Sequence, residues 1–123
     1  MNLTVREQRQ IDAAVNAHGK WITELRIAIE EGSSVFDPEI VRTDNSCDFG
    51  KWLYDDFPKS PESLELFDDI RETHAKFHRK AAHILQLAIS GRAPEALKLM
   101  DYQGEFMRLS GELILLLKGL RTG

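Results

Sequence analysis

The chain has one cysteine among its 123 residues, so no disulfide can form within it, and a reducing compartment is consistent with that. It has no excess of positive charge: 16 Lys and Arg stand against 20 Asp and Glu, a net charge of −4. Without a basic stripe to neutralise phosphates, nucleic acid is not expected as a partner. Long apolar runs are missing too. The longest, Leu113 to Leu117, is far short of the roughly 20 residues that span a bilayer. MNLTVREQRQ at the N-terminus lacks the apolar stretch of a signal peptide, so no membrane association and a cytoplasmic address are expected. Alternation of the kind that marks strands is absent, as are repeats and low-complexity tracts. What remains, 42% apolar and 29% charged, is the profile of one soluble domain over residues 1–123.

The apolar residues that are present recur at helical intervals. Ile11, Val15, His18, Ile22, Leu25 and Ile29 are spaced 4-3-4-3-4, which predicts a first helix over about residues 4–31, closed by Gly32. Residues 33–43 carry Pro38 and no sustained period, and read as a connection that tucks Phe36, Ile40 and Val41 against the bundle. A short helix begins near TDNSC, capped by Asp44, Asn45 or Ser46, with Cys47 in or beside its first turn. Trp52, Leu53 and Phe57 form its apolar face, and Pro58 ends it. Ser60 as cap and Pro61 at the first helical position open a long third helix that carries Leu64, Phe67, Ile70, His74, Phe77, His78, Ala81, Leu85 and Ala88. Gly91 stops it. Pro94 opens the last helix, with Leu97, Met100, Phe106, Leu109, Leu113, Leu116 and Leu120 as its buried stripe. Gly104 and Gly111 within it are expected to admit a neighbouring helix closely. The fold class is all-α: a four-helix bundle of three long helices and one short helix carrying the cysteine.

Four residues stand out chemically. His74 and His78 are four apart, so both rings leave one helix face. His18 lies in the core-facing seam of another helix, and Cys47 sits at the start of a third. Each alone has an ordinary reading, as a core imidazole bonded to a carbonyl or an inert buried thiol. Burying three imidazoles without a shared partner would cost a few kcal/mol in unsatisfied nitrogens. A single metal removes that cost, and thiolate with imidazole is the donor chemistry of tetrahedral zinc. The helix N-terminus at Cys47 favours the thiolate. With all four positions taken by protein, no position is left for a substrate, which points to a sensor or structural site and away from a hydrolytic enzyme.

Two rivals stay open at this point. A di-iron bundle needs carboxylates in the seams, as in a Glu-x-x-His pair, whereas Glu72 is two residues from His74 and the buried stripes carry no acid. A metal-independent dimerisation bundle with incidental histidines is the other. Around the four residues, Trp21 and Trp52 are expected to pack beside the site, and Gly50 to permit close helix contact. Asp44 and Asp48 are candidate acceptors for a ligand's second N–H. His83, five residues beyond His78, is off its face.

The stretches AHGKW, CDFGKWLY and HAKFH, in this order and with these separations, resemble the chemoreceptor zinc-binding (CZB) domain, a bacterial cytoplasmic module. The resemblance runs from about residue 8 to 118, with Phe49 where leucine is common. It implies a zinc site of His18, Cys47, His74 and His78, a four-helix fold that often pairs as a homodimer, and no enzymatic activity of its own. It also implies an output partner, a chemoreceptor or a diguanylate cyclase, and hence chemotaxis or cyclic di-GMP signalling. No GGDEF-like or coiled-coil segment follows the last helix, so the output is expected on another chain or in a longer one.

Overall fold

The computed structural model describes residues 4–43, 47–55 and 57–122. These form six helices, with no strand among the described residues: α1 (Val5–Glu31), α2 (Pro38–Val41), α3 (Asp48–Asp55), α4 (Pro61–Ile89), α5 (Ala93–Leu99) and α6 (Glu105–Thr122). The all-α bundle expected from the periodicities is the fold. Helix α4 runs through its centre and packs on α1, α2, α5 and α6, while α1 also meets α3, α5 and α6.

The helix ends follow local chemistry. Thr4 and Glu7 form a reciprocal capping box at the start of α1, and Gly32 ends that helix in the left-handed region at φ 70°. Ser60 accepts from the Ser63 N–H with Pro61 in the first turn of α4, worth about 1 kcal/mol. Beyond Ser90, Gly91 turns the chain at φ 77°, as its sequence position predicts. At α3 the cap differs from expectation. Asp44, Asn45 and Ser46 lie outside the described residues, and Cys47 itself occupies the cap position. Its carbonyl accepts from the Lys51 N–H at 3.0 Å, and its sulfur accepts from the Gly50 N–H at 3.3 Å.

The last predicted helix is two helices. After α5 the chain tightens into a turn in which Asp101 takes the Gln103 N–H on its side chain and the Gly104 N–H on its carbonyl, at 2.8 Å. Such side-chain bonding competes with the helical ladder. A Cβ at Gly104 would lie 3.1 Å from the Asp101 carbonyl oxygen, so this glycine serves its own turn and not a neighbouring helix. Gly111 is exposed with open space around it and admits no helix either. The break re-aims α5: Leu97 is exposed, and Ala96 and Met100 are its buried contacts. On α6 the buried face is Phe106, Leu109, Ser110, Leu113, Leu117 and Leu120, with Leu116 only partly covered. Within the 33–43 connection, Asp37 caps the single turn of α2, which buries Val41 but leaves Phe36 and Ile40 exposed.

Two apolar clusters result. One gathers Leu25, Phe77, Leu85, Ala88 and Phe106; the other gathers Ile11, Phe49, Leu53, Ile70, Leu113 and Leu117. Among the fully buried residues of α4, Ile70 belongs to the second cluster and Phe77 to the first, with His74 between them in sequence. The candidate polar residues therefore lie where the two clusters meet.

Candidate metal centre

Helix α4 presents His74 and His78 one turn apart, with rings 4.4 Å apart and close to perpendicular. The start of α3 brings Cys47 Sγ to 3.5 Å from His74 Nε2 and 3.3 Å from His78 Nε2. All three donor atoms fall within 4.8 Å of one another. Tetrahedral zinc, with Zn–S near 2.3 Å and Zn–N near 2.05 Å, sets sulfur and nitrogen about 3.6 Å apart. The observed separations match that spacing. Between these side chains lies a cavity of about 10 Å³, lined also by His18, Ala17, Trp21 and Phe49. It is the size of one water or one ion.

The hydrogen bonds assign much of the chemistry. His78 Nδ1 lies 2.7 Å from the Val41 carbonyl oxygen, which can only accept. The Nδ1 proton is thereby fixed, and the Nε2 lone pair points at Cys47. This is the arrangement of a metal-ligating histidine, braced on its far nitrogen by backbone. His74 is braced differently: Phe49 stacks on its ring at 4.3 Å and 20°, and its Nδ1 is buried with no hydrogen-bond partner. Asp44 and the side chain of Asp48, expected as acceptors, lie outside the described residues.

His18 is buried at the edge of the same cavity, packed at 4.0 Å on the ring of Phe77. Its Nε2 lies 3.0 Å from Ser110 Oγ, and neither ring nitrogen belongs to the close set of three. The structure thus gathers Cys47, His74 and His78, and sets His18 beside them on α6's serine. Trp21 packs edge-on to His78 at 6.0 Å and Trp52 sits against Phe49 at 5.8 Å, the packing roles expected of them, and His83 is exposed, as its spacing predicts. Gly50 is buried and supplies the N–H on the sulfur. Sequence reasoning missed Ser110 and the Val41 carbonyl. A serine inside a leucine stripe was the available signal for the first; a backbone acceptor leaves none.

Cys47 is only half-buried. A groove of about 530 Å³, walled by Trp21, Phe36, Ile40 and Val41, reaches Cys47 and His78 from the surface. The sulfur is the donor nearest to solvent reagents, while His74 is sealed at 1% exposure.

Burial holds His18 and His74 neutral in the metal-free protein. The pKa of His18 is pushed down to about 4, first by desolvation and then by His78. That of His74 falls to about 2, by desolvation and then by His78 and His18. The unfolded chain takes up these protons near pH 6.5, so their contribution is fully present above 6.5 and is lost as pH falls below it. Each group costs about 1.4 kcal/mol per pH unit in that window. Denaturant unfolding of the metal-free protein should lose roughly 2–3 kcal/mol between pH 7.5 and 5.5. A flat profile there would mean that these rings are solvated in the folded state.

With this geometry in place, the family follows. Residues 18–85 match the chemoreceptor zinc-binding domain model, which opens on His18 and spans Cys47, His74 and His78. The match covers more than half of the chain, and the chain belongs to that family. Comparisons with curated proteins and with solved structures gave no match. No helix among the described residues is long and apolar enough to cross a membrane.

Proposed function

We propose that this chain is a single cytoplasmic sensory or regulatory domain over residues 1–123, holding one zinc ion through His18, Cys47, His74 and His78. The observation that carries the reading is the sulfur set at tetrahedral-zinc spacing from two Nε2 atoms across an ion-sized cavity. Bound there, zinc would supply a cross-link and no reaction centre, since four protein donors fill its positions. His18 brings α1, Cys47 brings the start of α3, and His74 with His78 brings α4. Through the Val41 carbonyl on His78, α2 is tied to the same point.

Signalling follows from the weakest member of the set. Cys47 is reachable through the groove, and two-electron oxidation by a peroxide-class oxidant converts its thiolate to a sulfenic acid while the oxidant is reduced to hydroxide. A sulfur so changed no longer donates to zinc, whereas the imidazoles survive. Loss of the metal or of the thiolate frees the start of α3 from α4 and alters the surface that α2 and α3 offer. The reader of that surface is a chemoreceptor or diguanylate cyclase, attached or on another chain, with the domain acting as a homodimer in chemotaxis or cyclic di-GMP signalling. No catalytic role is assigned.

Zinc titration of the metal-free protein tests this. Saturable uptake of one ion per chain, lost in a Cys47→Ala, His74→Ala double variant, is expected. Unsaturable uptake, or identical uptake in the double variant, would leave a metal-independent dimerisation bundle as the better account.

A further inference from the structure

We infer that Ser110 on α6 is a positioning residue for the metal site: it holds the Nε2 edge of His18 and leaves Nδ1 as the nitrogen that coordinates. The inference rests on the four-donor reading above and extends it to a residue beyond the 18–85 family match.

The contact is long-range and dry. His18 Nε2 and Ser110 Oγ are 3.0 Å apart, and the two residues are 2% and 3% exposed. Ser110 sits in the stripe of Leu109, Leu113 and Leu117, where a hydroxyl without a partner is destabilising. When Nδ1 takes the metal, Nε2 carries the ring's one proton, and the serine oxygen accepts it. Each imidazole nitrogen has one in-plane orbital, filled either by a proton or by a lone pair. An Nε2 engaged with Ser110 cannot bind an ion as well. Only Nδ1 is then left to address the cavity that the ring already lines.

His78 displays the complementary arrangement. There Nδ1 is anchored on Val41 and Nε2 faces the sulfur. Each ring thus has one nitrogen anchored, with the anchors on different elements, α2 for His78 and α6 for His18. Helix α6 contributes no donor, yet through Ser110 it is joined to the metal-linked set.

Histidine ¹⁵N spectra of the wild-type protein test the assignment directly. Loading with cadmium-113 is expected to give metal coupling at His18 Nδ1, with the ring proton on Nε2. Coupling at Nε2 would overturn the inference. Ser110→Ala should lower zinc affinity about 10–100-fold, the usual effect of removing a ligand's outer partner. In a His18→Ala background the same change should have less than about a twofold effect, because the ring it acts through is gone. Unchanged or tighter zinc binding in Ser110→Ala would refute the inference, and weakened binding in His18→Ala would leave the four-donor reading standing. If His18→Ala itself leaves zinc affinity unaltered, the four-donor reading fails, and this inference with it.

Discussion

Zinc at about a thousandfold excess over its dissociation constant should raise the melting temperature of the metal-free protein by about 15 °C. Linkage supplies about 4 kcal/mol at that excess. A domain of this size gains about 4 °C per kcal/mol. The shift should be large because the donors come from α1, the start of α3 and α4, so opening any of them breaks the cross-link. It should also depend on concentration, growing by about 1.4 kcal/mol for each tenfold rise in free zinc. Differential scanning calorimetry across a zinc series checks both features. A melting curve indifferent to zinc and to chelator would mean that the histidines are ordinary core residues.

Cys47→Ala should weaken zinc binding at least about 100-fold. Structural zinc sites of this kind are worth about 12 kcal/mol, or about 3 kcal/mol per donor when shared over four. At the zinc concentration used above, the thermal shift should then shrink to about 5 °C. The metal-free variant should lose only about 1 kcal/mol, from the sulfur's bond to the Gly50 N–H at the start of α3. Cys47→Ser separates the two effects. A hydroxyl is the better helix cap, so metal-free stability should hold, while an oxygen donor restores little of the zinc affinity. Peroxide-treated wild-type protein should behave like Cys47→Ala in competition titrations against a chelator. Equal zinc affinity in wild type and both variants would remove Cys47 from the site.

Much of this was open to a reading of the chain by period and punctuation. Seams at three- and four-residue spacing mark a buried face, so α1 and α4 were legible, with His18, His74 and His78 on their inner sides. Gly32, Ser60 with Pro61, and Gly91 act through their own backbone preferences, and their positions held. His83 fell outside because five residues is not a helical repeat. What escaped depends on partners distant in sequence or on competition between local bonds. The Asp101–Gly104 turn splits the last helix because a side chain and a carbonyl of one residue capture two N–H groups. Leu117 is fully buried and Leu116 only partly, a choice between the i+4 and i+3 neighbours of Leu113 that spacing alone leaves open. Ser110 meets His18 across 92 residues, a relation no local pattern records.

X-ray absorption at the zinc edge of the loaded protein addresses the convergence of donors most directly. One sulfur at about 2.3 Å and three imidazole nitrogens at about 2.0 Å are expected. A shell without sulfur, or one in which oxygen replaces an imidazole, would contradict a site built from His18, Cys47, His74 and His78.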